Sequence, residues 1–201
     1  PLDGDGQVLI SHELRVGPRS AVLVYTDYWG ATVESFDTHE PHDVLEVVAT
    51  STVDTASEGQ GSPGTDWQTL AGEKVLDRWC EYLATSSFVD DALADDSRAD
   101  LVGQLRAQPT PGDAVHLCNE MVRDRLSYAA GATTVSTTAS EAWAAGSGVC
   151  QDFTHAMLSL LRSAGIPARY VSGYLHTEEE ALAETVRGES HAWVEAWDGA
   201  W

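Results

Sequence analysis

Positive charge is what this chain has least of: 11 basic side chains face 32 acidic ones, for a net charge of −21. A nucleic-acid partner needs a stripe of cations along its phosphates, and here ten Arg and the single Lys74 are scattered. Nucleic acid is therefore excluded as a partner, and an anionic membrane surface would repel the protein. No run approaches the roughly 18 continuous apolar residues that cross a bilayer, so no membrane insertion is expected of this chain. No signal segment is visible either, which leaves the compartment open but tips the reading toward the cytoplasm. The opening residue is Pro1 rather than Met, as expected of an excerpt or a processed product. Cysteine is scarce as well. Cys80, Cys118 and Cys150 are odd in number and far apart, which is not a disulfide framework, although it leaves room for one pair. Internal repeats are lacking. What the chain does have is 201 residues, 43% of them hydrophobic, enough for one large or two small domains with a real core.

The first 55 residues read as β structure. Gln7 to Val16 alternates loosely and is broken by Gly17-Pro18. Ala21 to Thr26 and Ala31 to Phe36 are β-branched runs joined by Asp27-Tyr28-Trp29-Gly30, which has hairpin length and turn chemistry. Asp43 to Val53 is a fourth run, rich in Val and Thr. Four strands without helical period predict a β-sandwich-like region, with earlier strands expected upstream. Residues 56–66 (ASEGQGSPGTD) read as a linker, and a helical pattern follows it. Trp67 to Ala84 is expected as a helix weakened at Gly72, and Ser97 to Ala107 as a shorter one. Thr110 is a candidate N-cap with Pro111 in the first turn. The helix beyond it places Val115, Cys118, Val122 and Leu126 on one buried stripe. Cys118 is thus a core residue, and Cys80 beside Trp79 reads the same way. Residues 129–148, small and polar, read as an ordered loop. From Cys150 a new stripe of Phe153, Met157, Leu160, Leu161 and Ala164 runs to Gly165, where Pro167 stops the helix. Ala168 to Leu175 and Ser190 to Trp197 read as strands, separated by an acidic insertion through Glu178-Glu179-Glu180 and Glu189.

Cys150 differs from the other two cysteines in its surroundings. Gly146-Ser147-Gly148 leads into it and the apolar helix starts at it. A thiol at a helix N-terminus meets backbone N–H groups and a dipole that favour its ionised form. The same amides suit a developing oxyanion, and the glycines allow close approach. Local physics leaves nucleophile and buried core cysteine equally open. A nucleophile needs a proton acceptor that later becomes an acid, and imidazole does both near neutral pH. His191, on a strand, is the best candidate of the seven histidines. His155 lies about 140° around the helix from Cys150, as expected of a packed structural residue. His176 borders the acidic insertion and reads as exposed. His39-Glu40-Pro41-His42 suggests a metal only superficially, because Pro41 forbids the regular helix on which paired histidines converge.

Gly148-Val149-Cys150-Gln151-Asp152-Phe153, then Ala164 to Tyr174 (AGIPARYVSGY), then Ser190-His191-Ala192-Trp193-Val194-Glu195 resemble, in order and spacing, bacterial members of the transglutaminase-like superfamily. These are cysteine proteases and amidases related in core fold and chemistry to papain. Tyr128 and Gly131 to Thr134 fit the family's lead-in more loosely, and Tyr25 to Gly30 resembles the β-rich region that precedes the catalytic domain. The resemblance implies an α+β fold. A transglutaminase-like, papain-like catalytic domain, with helices on an antiparallel sheet, spans residues 67–201 and is cut short at its C-terminus. A β-sandwich-like region at 1–55 and the linker at 56–66 precede it. It also implies Cys150 as nucleophile and His191 as general base and acid, with a third residue, an Asp, expected beyond Trp201. Asp198, in a turn, and Glu195, two side-chain steps from His191 along the strand, are not assigned that role.

The expected function is cysteine-dependent acyl transfer on peptide or amide bonds through a thioester, with hydrolysis preferred over amine transfer. The substrate is a peptide or protein, and neither metal nor organic cofactor is required. A non-catalytic binding or assembly module that keeps the fold is the alternative, prompted by the absent third residue. A metal-assisted hydrolase is a third reading. The acidic surface suits a basic substrate, but acidic faces more often serve solubility.

Overall fold

The computed structural model describes residues 6–55, 64–90, 97–174 and 190–201. By its contacts the chain divides into two compact units, Pro1–Gln60 and Gly61–Trp201.

The first unit contains four strands, β1 (Gln7–Gly17), β2 (Val22–Thr26), β3 (Thr32–Phe36) and β4 (Glu46–Thr55). They form two separate two-stranded antiparallel sheets, β1 with β4 and β2 with β3. The hairpin turn works as its residues require. The Asp27 carboxylate accepts the amides of Trp29 (2.9 Å) and Ala31 (2.8 Å), and Gly30 takes the positive φ of 83° that a side chain would resist. A bulge between Leu9 and Ser11 shifts the register of β1 against β4. His12 ties the two ribbons together: its Nδ1 meets Ser51 Oγ on β4 and its Nε2 meets Glu34 Oε2 on β3, each at 2.7 Å.

The second unit is built around one long amphipathic helix. Its elements are α1 (Trp67–Leu70), α2 (Glu73–Arg78), α3 (Ser97–Arg106), α4 (Pro111–Arg125), β5 (Ser127–Tyr128), α5 (Ala139–Ala145), β6 (Ser147–Gly148), α6 (Cys150–Ala164), β7 (Ala168–Tyr174) and β8 (Ser190–Ala196). Leu158, Leu160 and Leu161 of α6 are buried with Leu105 of α3 and with Ala114, Cys118 and Val122 of α4, and they form the core. The antiparallel ribbon β7–β8 covers another side of α6 through Ala168, Val194 and Ala196. At the far end of α6, Arg162 donates to the carbonyls of Ala168 (2.9 Å) and Ala84 (2.7 Å), which fixes the start of β7. Mixed helices and small antiparallel sheets agree with the α+β expectation.

Three details differ from the sequence reading. The helix expected over Trp67 to Ala84 is broken into α1, α2 and a single tight turn at Cys80–Tyr82, because Gly72 adopts an extended conformation (φ −69°, ψ 139°). Cys80 is consequently exposed rather than packed. Within the expected loop 129–148, α5 forms a proper helix. Thr138 accepts the Glu141 amide at 3.3 Å, the Glu141 carboxylate accepts the Thr138 amide at 2.9 Å, and Gly146 ends the helix in the left-handed region. Leu175, His176 and the acidic insertion lie outside the described residues.

Candidate active site

Cys150 is the first residue of α6, half-buried, with its side chain at the open end of the helix. The preceding residue, Val149, has no side-chain oxygen to cap the first turn. Part of that task falls to Asp152, whose Oδ2 accepts the Val149 amide at 2.7 Å and the Thr133 hydroxyl at 2.6 Å. The amides of Asp152 and Phe153 donate to the Val149 carbonyl (2.9 and 3.2 Å), and those of Cys150 and Gln151 receive no side-chain cap. The Asp152 carboxylate is fully buried, and Gly148 is what admits it. A Cβ at Gly148 would lie 2.5 Å from Asp152 Cβ, closer than such atoms approach. β6, which holds Gly148, is itself anchored by the parallel pairing of Tyr128 with Gly148. Gln151 completes the collar, with its side-chain amide directed at the carbonyls of Thr134 (3.4 Å) and Val135 (3.5 Å). Loop residues 129–138 thus wrap the start of α6.

His155 lies one turn down. It is 7% exposed, stacked on Phe88 at 5.8 Å and tilted against Tyr170 at 5.6 Å. Burial pushes its imidazole below the ordinary value, against the opposing pull of a hydrogen bond to the Thr137 backbone and of the negative Asp152 and Asp90. It is a packed histidine, as its position on the helix suggested. The Tyr170 phenol is raised, first by burial and then by negative charge at Cys150 and Asp152. Tyr170 packs against His155 of α6, a contact that reading the sequence missed because fifteen residues of chain separate the two.

His191 is half-buried near the start of β8, opposite Gly173 of β7. His191 is thus on the ribbon that packs against α6, on the ribbon face turned away from the core. The imidazole shares a ribbon face with Trp193, on which it stacks at 6.4 Å, and with Glu195, while Ala192 and Val194 face the core. No hydrogen bond joins His191 to Cys150. Glu195 is engaged by Arg169 at 2.7 Å, and Asp198 accepts the Thr65 amide at 2.6 Å, so both carboxylates are occupied away from the imidazole.

The other sequence candidates have local explanations. Cys118 is fully buried, and burial pushes its thiol up to about 12. His42 bonds the Glu40 carbonyl at 2.7 Å, and His39 pairs with Asp37 at 3.3 Å. Among the described residues no group of three or more His, Cys, Asp or Glu side chains is arranged to hold a metal, and no helix is long and apolar enough to cross a membrane.

Residues 99–201 match the model of the transglutaminase-like superfamily, and residues 1–54 match that of the bacterial transglutaminase-like N-terminal region. An uncharacterized protein of Mycobacterium leprae is 37% identical over the whole chain, which spans 71% of that relative. One from Mycobacterium tuberculosis is 28% identical over 95% of the chain, which spans 63% of its length. Among solved structures, one described as a "Putative Cysteine Protease" from Cytophaga hutchinsonii superposes with a TM-score of 0.73 at 22% identity. That likeness covers 98% of this chain and 65% of the other, and establishes a shared fold.

Proposed function

The chain belongs to the transglutaminase-like superfamily, and on that premise we propose that it cleaves amide bonds of a peptide or protein substrate through a Cys150 thioester. The observation that carries this reading is the half-exposed thiol at the uncapped start of a buried 15-residue helix. The Cys150 thiolate attacks the carbonyl carbon, and first-turn amides receive the oxyanion. As the C–N bond breaks, the His191 imidazolium gives its proton to the leaving amine. Water then attacks the thioester while His191 takes a proton, which releases the acid and restores the thiolate. This reading requires the His191 ring, on the ribbon face opposite to core-packed Ala192 and Val194, to move to the sulfur when substrate binds.

Thiol reactivity tests this without a known substrate. Iodoacetamide should alkylate Cys150 several-fold faster than exposed Cys80 near neutral pH, and His191→Ala should remove that advantage. Equal, slow labelling of the accessible cysteines would instead support a binding module that has kept the fold.

A further inference from the structure

Cations are scarce in this chain, yet two of them stand at one cleft walled by indoles. The cleft, about 400 Å³, is lined by Lys74, Val75 and Arg78 of α2, by Trp79, and by Trp197 and Trp201 beyond β8. That volume falls within the roughly 300–1,000 Å³ of small-molecule sites. The aromatic wall is held together by its own contacts. Trp201 meets Trp79 edge-on at 5.2 Å and Tyr82 at 4.9 Å, and the Arg169 guanidinium lies 4.4 Å from the centre of its ring. Trp197 is 6.2 Å from Trp79, and the three indoles are only half-buried. Lys74 and Arg78, four residues apart on α2, share a helix face, and both are exposed. Arg78 lies 4.8 Å from the centre of the Trp79 ring.

The acids of the adjoining strand and turn are engaged elsewhere: Glu195 with Arg169, and Asp198 with the Thr65 amide. No carboxylate lines the cleft, and among the described residues neither Lys74 nor Arg78 has an ion-pair partner. The cleft therefore has the opposite charge preference to the molecule that carries it. The field of the other charges fades over about 8–10 Å at physiological salt, so contacts inside the cleft decide what binds. That field still penalises every added negative charge, which favours a monoanion over a phosphate.

We propose that this cleft binds a planar aromatic carboxylate, with its ring against the indoles and its carboxylate paired with Lys74 and Arg78. The proposal does not depend on Cys150 being the nucleophile.

Equilibrium dialysis against 1-naphthoate, 1-naphthylmethylamine and cyclohexanecarboxylate tests it, with bound ligand measured by mass spectrometry. By net charge alone the amine would bind best. The cleft should reverse that order, with naphthoate bound about ten-fold more tightly than either of the others. Lys74→Gln combined with Arg78→Gln changes two exposed side chains outside the core, and should weaken naphthoate about ten-fold without weakening the amine. An amine that binds as well as naphthoate, or naphthoate binding that the double variant leaves unchanged, overturns the site. Cyclohexanecarboxylate binding as tightly as naphthoate overturns the role of the indoles, and the proposal with it.

Discussion

The middle of α6 and its first turn hold the same kind of side chain in opposite circumstances. Against the middle lies Cys118 of α4, fully buried, its sulfur 3.8 Å from the Met157 carbonyl and its thiol pushed up to about 12. At the first turn lies Cys150, half-buried, next to uncapped amides and a carboxylate set into a glycine-lined recess. Less than twenty ångströms of one helix separates a sulfur packed as a small hydrophobe from one half-buried at the helix start. Residue type alone says little about a thiol. Its position relative to the helix end, and what fills the space around it, decide its chemistry.

The sharpest way to test that contrast is to titrate both thiols in one sample. At pH 8 a group near 12 is ionised to about one part in ten thousand, so labelling of Cys118 in the folded protein should trail Cys150 by at least a thousandfold. Comparable rates would erase the distinction. The open end can also be damaged selectively. Gly148→Ala forces a Cβ onto Asp152, and we expect a loss of about 2–4 kcal/mol in urea unfolding together with loss of fast Cys150 labelling. A neutral result would mean that the recess yields easily. The buried thiol has its own signature. Unfolded, Cys118 releases its proton near its ordinary 9.0, and folded only near 12, so between those values the folded state binds more protons. Its contribution to stability is full below pH 9 and declines as pH rises through that window, by at most about 1.4 kcal/mol per pH unit. Cys118→Ala should cost about 1–2 kcal/mol at pH 7 yet show a flatter alkaline profile than the parent. Parallel profiles would contradict the burial account. Smallest is the effect of the cap that supports the collar from α5: Thr138→Ala should lower stability by about 1 kcal/mol and leave the thiol order unchanged.

Local signals were legible wherever they settled the structure unaided. Thr110 and Pro111 start α4 as their chemistry demands, Gly165 ends α6 with φ at 88°, and the Asp27 to Gly30 turn closes its hairpin. The capping pair Thr138 and Glu141 was equally visible but was masked by a run of small residues that buries little by itself and gains its helix from packing Ala139, Ala142 and Trp143. Gly72 weakened a helix on paper and divided it in fact. At the site, Cys150 and His191 stand out in the sequence through their surroundings and their family motifs. Asp152, Thr133 and Tyr170 do not, because an N3 carboxylate, a loop hydroxyl and a strand phenol acquire meaning only when the fold gathers them. Only the capping position of Asp152, three residues after Val149, was open to local reading.

That carboxylate has one more implication. A single oxygen holds both the amide that seats the sulfur and the hydroxyl that tethers the surrounding loop. In the proposed reaction, a substrate displacing Thr133 would load the same oxygen that holds the Val149 amide, one residue before the sulfur.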